Sequence, residues 1–274
     1  MNVLVIGATG YIGAAAAAAL ARAGHEVAAL RRPDGGAPPD GVRAVAGDLA
    51  DPASLAGAAE GFDRVVHAGP PLGAEIDLAG ADALAATGVP VLWTTGAAVL
   101  GGGRADEDSP PDPHPLVSWR AEVERRVLAA GGQVIRPGMV YGNGGGLVPG
   151  LLARKAAERG TGVYIGEPGV RWPVVHVDDL AALYVAVLER AGPGTVWHGV
   201  GETVRLDAIA AALGGGRAAS WPLEEARAEL GALADLFTRD QEVSSERTRS
   251  LLGWRPVHTS LLDRLGERSG AAPV

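Results

Sequence analysis

The sequence predicts an α/β protein with a doubly wound parallel sheet and a smaller C-terminal lobe. The first observation is the apolar run Val3–Ile6 near the N-terminus, which is typical of a parallel strand covered on both faces. The second is a set of three glycines that follows this run and opens a helical stretch. The third is the length of 274 residues, which suits a large α/β domain with a smaller partner.

Composition and charge exclude several classes of protein. The chain has no cysteine, so disulfides and thiolate chemistry are excluded. A net charge of −8 argues against nucleic-acid or anionic-membrane partners. We find no room for a signal peptide before the first strand and no apolar run long enough to span a membrane, and we therefore expect a cytoplasmic location.

The glycine turn is the most informative motif. Gly7, Gly10 and Gly13 fall three residues apart between a strand and a helix that we expect to end at Arg22, before Gly24. This spacing allows a tight turn, brings backbone N–H groups to a pyrophosphate and lets the helix lie against the strand. The motif predicts dinucleotide binding, and the alternative is a strand, turn and helix that bind no cofactor.

The arrangement G-x-x-G-x-x-G, with Ala8-Thr9 inside it, resembles the short-chain dehydrogenase/reductase superfamily. The extended branch, with its nucleotide-sugar epimerases and dehydratases, is the most similar. The resemblance continues through Ile135–Gly142 and ends with Trp254-Arg255-Pro256. It implies a Rossmann-type sheet and the following cofactor-binding residues: Gly7, Thr9, Gly10, Tyr11, Ile12, Gly13, Asp48, Leu49, Ala68, Gly69, Pro70, Thr94, Arg120, Pro137 and Val140.

The end of the second predicted strand, His25–Leu30, indicates which dinucleotide binds. Arg31 and Arg32 follow it, at the distance from the glycine turn where the adenosine ribose is met. Two guanidinium groups suit a ribose 2′-phosphate through charge-assisted hydrogen bonds. We therefore predict NADP(H) rather than NAD(H), and the alternative is two solvated charges.

The remaining elements follow from the same patterns. In order, we predict a loop at Asp34–Pro39, strand Val42–Val45, helix Pro52–Gly61, strand Arg64–His67, helix Ile76–Thr87, strand Val89–Thr95, helix Leu116–Ala130, strand Gln133–Tyr141, helix Leu147–Arg159, a helix capped by Asp178 that runs to Arg190, strand Thr195–Val200, helix Val204–Leu213 and helix Leu223–Leu236. Asp48 either contacts the adenine or caps the next helix, and both roles are compatible. We assign residues 1–142 and 174–194 to the cofactor domain, and residues 143–173 and 195–274 to the substrate lobe.

The residues that carry catalysis in the family are replaced in this chain. The resemblance places the catalytic hydroxyl at Gly96, the tyrosine at Leu116 and the lysine at Arg120. Leucine cannot transfer a proton, and arginine can hydrogen-bond a ribose but is not an acid or base near neutral pH. The single lysine, Lys155, has Leu151 four residues before it, so no alignment restores the tyrosine-lysine pair.

Three residues remain as catalytic candidates: Tyr141, Thr95 and Arg120. Tyr141 is a possible phenolic proton donor, and the alternative is a packed structural tyrosine. Thr95, like Thr94, can pass a proton through water. His176 is either catalytic or, as we prefer, structural, and we propose no metal site.

These observations predict an atypical NADP(H)-dependent oxidoreductase that transfers a hydride to or from a small, largely apolar metabolite, such as an intermediate of specialised metabolism. Leu116, Trp93, Trp119 and Trp172 favour an uncharged substrate. The alternatives are a non-redox cyclase, dehydratase or isomerase, and a catalytically silent protein that binds or senses NADP(H). A homodimer through the helix that contains Arg120 is a further expectation from the resemblance.

Overall fold

The computed structural model describes residues 1–32, 38 and 42–270, so most of the predicted loop Asp34–Pro39 lies outside the described residues. The strands are β1 (Asn2–Ile6), β2 (Glu26–Arg31), β3 (Arg43–Ala46), β4 (Arg64–His67), β5 (Val91–Thr94), β6 (Gly103–Ala105), β7 (Gln133–Pro137), β8 (Met139–Gly142), β9 (Gly145–Gly146), β10 (Gly162–Ile165), β11 (Arg171–His176), β12 (Val196–Gly199), β13 (Glu202–Arg205), β14 (Ala218–Trp221) and β15 (Gln241–Val243). The helices are α1 (Tyr11–Arg22), α2 (Pro52–Ala59), α3 (Ala74–Ala86), α4 (Trp119–Ala129), α5 (Ala153–Arg159), α6 (Val177–Arg190), α7 (Leu206–Leu213), α8 (Leu223–Leu230), α9 (Leu233–Leu236), α10 (Glu246–Leu252) and α11 (Leu261–Gly270).

The central sheet confirms the predicted fold class. It has seven strands in the order β3-β2-β1-β4-β5-β7-β12, and all neighbours in it are parallel. The chain runs outward from β1 to β3 and then returns to place β4 on the other side of β1. Ligands of such sheets bind at this reversal, beyond the carboxyl ends of the strands.

Both faces of the sheet are covered by helices, which explains the continuous apolar run in β1. Val3 and Val5 face a core that includes residues of α1 and α6, while Leu4 and Ile6 face a core shared with α2, α3 and α4. A strand buried on both sides needs no polar alternation. Within the described chain, no helix is both long enough and apolar enough to span a bilayer.

The predicted strand Gln133–Tyr141 is two strands in the structure. β7 lies in the central sheet, whereas β8 pairs with β11 in a four-stranded sheet of order β13-β11-β8-β9. The break occurs at Gly138, where a Cβ atom would lie 2.5 Å from the carbonyl oxygen of Pro173. The close approach requires glycine, and it directs the chain after β7 out of the central sheet and into the lobe.

The lobe has its own apolar core, which contains Tyr141, Val174, Ile209, Trp221 and Phe237. Small two-stranded sheets, β10 with β14 and β6 with β15, lie beside it. The structure differs from the predicted division of the chain at β12, which forms the edge of the central sheet although it falls within residues 195–274.

Two helix caps differ from the residues that the sequence suggested. α6 is capped by His176, whose Nδ1 accepts the backbone N–H of Asp178 at 3.2 Å, so Asp178 lies in the first turn and is not the cap. α2 is capped by Asp51, which accepts the N–H groups of Ala53 and Ser54. The capping role considered for Asp48 is therefore wrong, because Pro52 begins the helix directly after a better-placed carboxylate.

Helix α4 is shorter than predicted. Residues Pro115–Val117 form a separate 3₁₀ turn, and the α-helix begins only at Trp119. Leu116 is therefore exposed and is not on the same helical face as Arg120. Glu124 on this helix is buried against β7.

Candidate functional site

A cavity of about 750 Å³ lies at the carboxyl ends of β1, β4, β5 and β7. Its floor is the glycine turn and the segments that follow the other three strands. Its opposite wall comes from the lobe and includes Trp172, Leu233 and Leu236. The cavity thus occupies the place where the reversal of strand order predicts a ligand, and its volume is typical of a small-molecule site.

The glycine turn fits a pyrophosphate. Gly7 has φ +85°, and a Cβ there would lie 2.6 Å from the carbonyl oxygen of Ala68. A Cβ on Gly13 would lie 2.1 Å from the carbonyl oxygen of Gly7, so only glycine lets α1 approach the strand. Gly10 caps α1 without a side-chain hydrogen bond, which leaves the N–H groups of the first turn for an anion.

Tyr11 fixes the loop above this turn. Its hydroxyl donates to the carbonyl oxygen of Gly142 at 2.8 Å, and its ring packs so closely that a Cβ on Gly145 would lie 2.4 Å from Cε2. Burial, followed by the charge of Asp178, raises the pKa of the Tyr11 phenol. The phenol is therefore a structural donor in this arrangement.

Most of the predicted cofactor-binding residues come together around the cavity. Those that line it are Gly7, Thr9, Gly10, Tyr11, Ile12, Ala68, Gly69, Pro70, Thr94, Arg120, Pro137 and Val140. The others are Gly13, packed behind the turn, Arg31 at the end of β2, Arg32 directly after it, and Asp48 and Leu49, which follow β3. A Cβ on Gly69 would lie 3.1 Å from Leu49 Cδ1, so Leu49 borders the cavity floor. The binding roles of these residues stay predictions.

The two threonine hydroxyls beside the cavity are both engaged with buried partners. Thr94 Oγ1 lies 2.5 Å from the hydroxyl of Tyr184 on α6. Thr95 Oγ1 donates to Glu124 Oε1 at 2.5 Å, and Glu124 is held in turn by Arg136 on β7. Since the Thr95 proton is directed at a carboxylate, this geometry does not present it to the cavity.

Arg120 reaches the cavity from α4. Its Nη1 donates to the backbone carbonyl of Thr95 at 3.2 Å, and a Cβ on Gly96 would lie 3.6 Å from the same atom. Burial lowers the pKa of the guanidinium, and the charges of Asp77 and Glu124 oppose that shift. Gly96 therefore leaves space for a ligand beside a cation that lies in a largely dry environment.

Tyr141 lies in the lobe core and does not line the cavity. Its hydroxyl donates to the carbonyl oxygen of His258 at 3.3 Å, and burial raises the pKa of the phenol to about 12. The break at Gly138 accounts for this position, because it moves the end of the predicted strand into another sheet. The geometry favours the structural interpretation of Tyr141.

Sequence reasoning missed several cavity residues. His67 is buried, stacks on Trp93 with ring centroids 3.7 Å apart, and has a pKa lowered by burial to about 4. Asp77 accepts hydrogen bonds from the indole of Trp119 at 2.8 Å and from a backbone N–H. Arg239 lines the lobe side of the cavity. Its position depends on long-range packing, and no local motif marks it.

His176, Asp178 and His258 come together although no spacing in the sequence indicates it. One potential ligand atom from each lies within 4.8 Å of the others. However, Nδ1 of His176 accepts the N–H of Asp178, and Nδ1 of His258 is bonded to Asp179 at 3.1 Å. The two imidazoles stack at 3.9 Å and hold the C-terminal segment against α6. This arrangement fits the structural role expected for His176.

Comparison with known proteins agrees with this geometry. A family model described as NAD(P)H-binding matches residues 7–130. The chain is 31% identical to the 3-diazoavenalumate denitrifying reductase of a Streptomyces species, over 97% of this chain and 99% of that protein. It is 30% identical to the uncharacterized protein YLL056C of Saccharomyces cerevisiae, over 96% and 97% of the two chains. The crystal structure of the human epimerase family protein SDR39U1 with NADPH superposes with a TM-score of 0.76, at 24% identity over 97% and 98% of the two chains.

Proposed function

This chain belongs to the NAD(P)H-binding short-chain dehydrogenase/reductase family, and from that membership we propose that it is an NADP(H)-dependent reductase without an acid catalyst of its own. Its acceptor is a small, largely apolar molecule with an electrophilic carbon. Fold and family support an oxidoreductase in general. The chemistry of the cavity supports the narrower proposal.

The residues present fit the nicotinamide dinucleotide. The open first turn of α1 would hold the pyrophosphate, Arg31 and Arg32 the ribose 2′-phosphate, and Arg120 the nicotinamide ribose. When bound, NADPH supplies a hydride to the electrophilic carbon of the acceptor and becomes NADP⁺. The chain contributes orientation and the exclusion of water by Trp172 and its neighbours.

One observation carries the proposal: among the described residues that line the cavity, the phenol, imidazole and guanidinium groups are not suited to act as general acids near neutral pH. The Tyr11 hydroxyl donates to a backbone carbonyl, and His67 is neutral near pH 7 because its pKa is about 4. The arginines Arg120 and Arg239 are not acids in this range. Acceptors that need no positioned acid therefore suit this site best, such as an iminium ion, a diazonium ion or an activated alkene protonated by water.

The Streptomyces relative supports this choice. Its name describes a reductase that removes nitrogen from a diazo compound. Hydride addition to an arenediazonium ion breaks the C–N bond and releases dinitrogen, and the two electrons of the hydride form the new C–H bond. That step requires no proton, so a chain without the tyrosine-lysine pair can support it.

Isotope transfer tests the proposal. The protein is incubated with NADPH deuterated on the transferred face of nicotinamide C4 and with one iminium, one arenediazonium, one activated-alkene and one ketone acceptor. We expect one deuterium on the former electrophilic carbon of at least one of the first three products. Product formation without deuterium or NADPH loss would indicate the non-redox alternative. Binding of NADPH with no product from any acceptor would indicate a silent binding protein.

We predict that Arg32→Ala weakens NADPH binding by about tenfold or more, because a charge-assisted hydrogen bond to the 2′-phosphate is lost. NADH lacks this phosphate, so its dissociation constant serves as the internal control and is expected to stay the same. Nicotinamide fluorescence titrations measure both constants. Equal weakening for the two cofactors would contradict a 2′-phosphate contact.

We predict that Tyr141→Phe changes turnover by less than about threefold, because the phenol donates to His258 in the lobe core and makes no contact with the cavity. Loss of this hydrogen bond is expected to lower the free energy of unfolding by about 1 kcal/mol. Steady-state kinetics and urea denaturation check the two parts. A turnover loss near a hundredfold would restore Tyr141 as proton donor.

A further inference from the structure

We infer that the end of the cavity formed by Arg239 and Trp172 binds a carboxylate group of the substrate. The inference rests on the proposed reductase function and makes its substrate more specific: a small acid with a flat apolar body. The expectation of an uncharged substrate is thereby revised. Trp93 and Trp172 do line the cavity, whereas Leu116 and Trp119 do not.

The Arg239 guanidinium has hydrogen-bond donors that no described residue uses. Among the described residues, its side-chain partners are both on Asp112: the backbone carbonyl, 3.2 Å from Nη2, and the carboxylate, 3.7 Å away. The Asp112 side chain is 82% exposed, so its attraction is screened by solvent. The Arg239 side chain is 24% exposed, and its Nε and Nη1 have no protein acceptor in the described part of the chain. A half-buried guanidinium with unused donors matches a planar carboxylate.

Arg239 is held in place by its neighbours. The indole N–H of Trp172 donates to the backbone carbonyl of Arg239 at 3.2 Å, and Trp172 stacks on Phe237 with ring centroids 4.8 Å apart. The next residue, Asp240, accepts three hydrogen bonds from Arg171. The segment is therefore tied on both sides of Arg239, and the guanidinium is presented at the cavity by an ordered backbone.

The cavity wall around Arg239 is mostly apolar. Trp172, Leu233 and Leu236 give this end an apolar surface. Among the described lining residues, the charged side chains are two arginines and one aspartate, and the aspartate, Asp77, is bonded to Trp119. A single guanidinium beside flat apolar groups suits one carboxylate on a planar body better than a phosphate dianion, which would call for further cations.

A pair of matched ligands tests the inference: trans-cinnamate and its neutral isostere cinnamamide. Both are titrated by calorimetry into the NADP⁺-loaded protein. We expect the acid to bind about tenfold or more tightly than the amide, because only the acid forms a charge-assisted pair with Arg239. We expect Arg239→Gln to bring the ratio close to one and Arg239→Lys to restore part of it. Arg104→Gln is the control, since Arg104 is a nearby cation, 84% exposed, that does not line the cavity.

Equal affinity for acid and amide in the unchanged protein would overturn the inference, and so would a ratio that survives Arg239→Gln or no detectable binding of either ligand at millimolar concentration. The circular-dichroism spectrum of each variant shows whether it is folded, and Arg239→Lys provides a second variant. Binding is measured without turnover, so the titration result does not depend on whether the protein reduces any acceptor. A failure of this inference can therefore be told apart from a failure of the reductase proposal. A repeat titration without NADP⁺ separates the carboxylate site from the cofactor site.

Discussion

Replacing Arg120 by methionine is expected to lower kcat/KM for NADPH-dependent reduction by about a hundredfold. Its guanidinium is largely desolvated beside Gly96 and is held by the Thr95 carbonyl at 3.2 Å. A fixed cation in a dry cavity holds the nicotinamide ribose and, where the acceptor is an activated alkene, stabilises the negative charge that hydride addition creates on it; such contacts are worth several kcal/mol in enzyme sites. Methionine keeps the apolar part of the side chain and removes only the charge and donors.

Two further measurements identify the cause of the loss. NADPH affinity, measured by fluorescence, is expected to fall by about tenfold, because the donors to the ribose are gone. Arg120→Lys is expected to recover part of both losses. Arg125→Met is the matched control, because Arg125 lies on the same helix, is exposed and pairs with Glu122 outside the cavity. Unchanged kinetics in Arg120→Met would exclude a role for Arg120 in the reaction.

The parts of the fold that could be predicted depend on local sequence. An apolar run without alternation indicates a strand buried on both faces, and β1 meets this condition. The glycine spacing reflects contacts between residues that are close in the chain, such as Gly13 with Gly7, so the cofactor turn was also predictable. The absence of the tyrosine-lysine pair was also predictable, because it follows from the positions of the lysine and the tyrosines in the sequence.

The parts that were not predicted depend on contacts between distant segments. Tyr141 lies in an apolar stretch that reads as one strand, and only the approach of Pro173 to Gly138 shows that the strand changes sheets. Arg239 reaches the cavity because β15 pairs with β6. The paired residues Gln241 and Gly103 are 138 positions apart in the chain. No periodicity records such a pairing. The burial of Glu124 was likewise not predictable, because its partner, Arg136, is on another element.

Replacing Glu124 by alanine is expected to lower the free energy of unfolding by about 3–5 kcal/mol, the cost of leaving a buried cation unpaired. The side chains of Glu124 and Arg136 are 2% and 4% exposed, and three hydrogen bonds of 3.0, 3.2 and 2.6 Å join them. Arg136 Nη1 is buried and has no hydrogen-bond partner among the described residues, so the guanidinium depends on its contacts with Glu124. Urea denaturation measures the loss.

The double variant Glu124→Leu/Arg136→Met shows whether this loss comes from the pair or from the orphaned charge. Because apolar residues of similar volume avoid the desolvation of two ions, we expect the double variant to be more stable than Glu124→Ala by about 2 kcal/mol or more. Glu122→Ala on the same helix is the control, since its partners Arg125 and Arg126 lie at the surface and the change is expected to be small.

Thr95 loses its acceptor in both Glu124 variants. If the Thr95–Glu124 contact is only structural, the double variant will keep both the NADPH affinity and the turnover of the unchanged protein. A loss of turnover with unchanged NADPH affinity would assign this contact to catalysis.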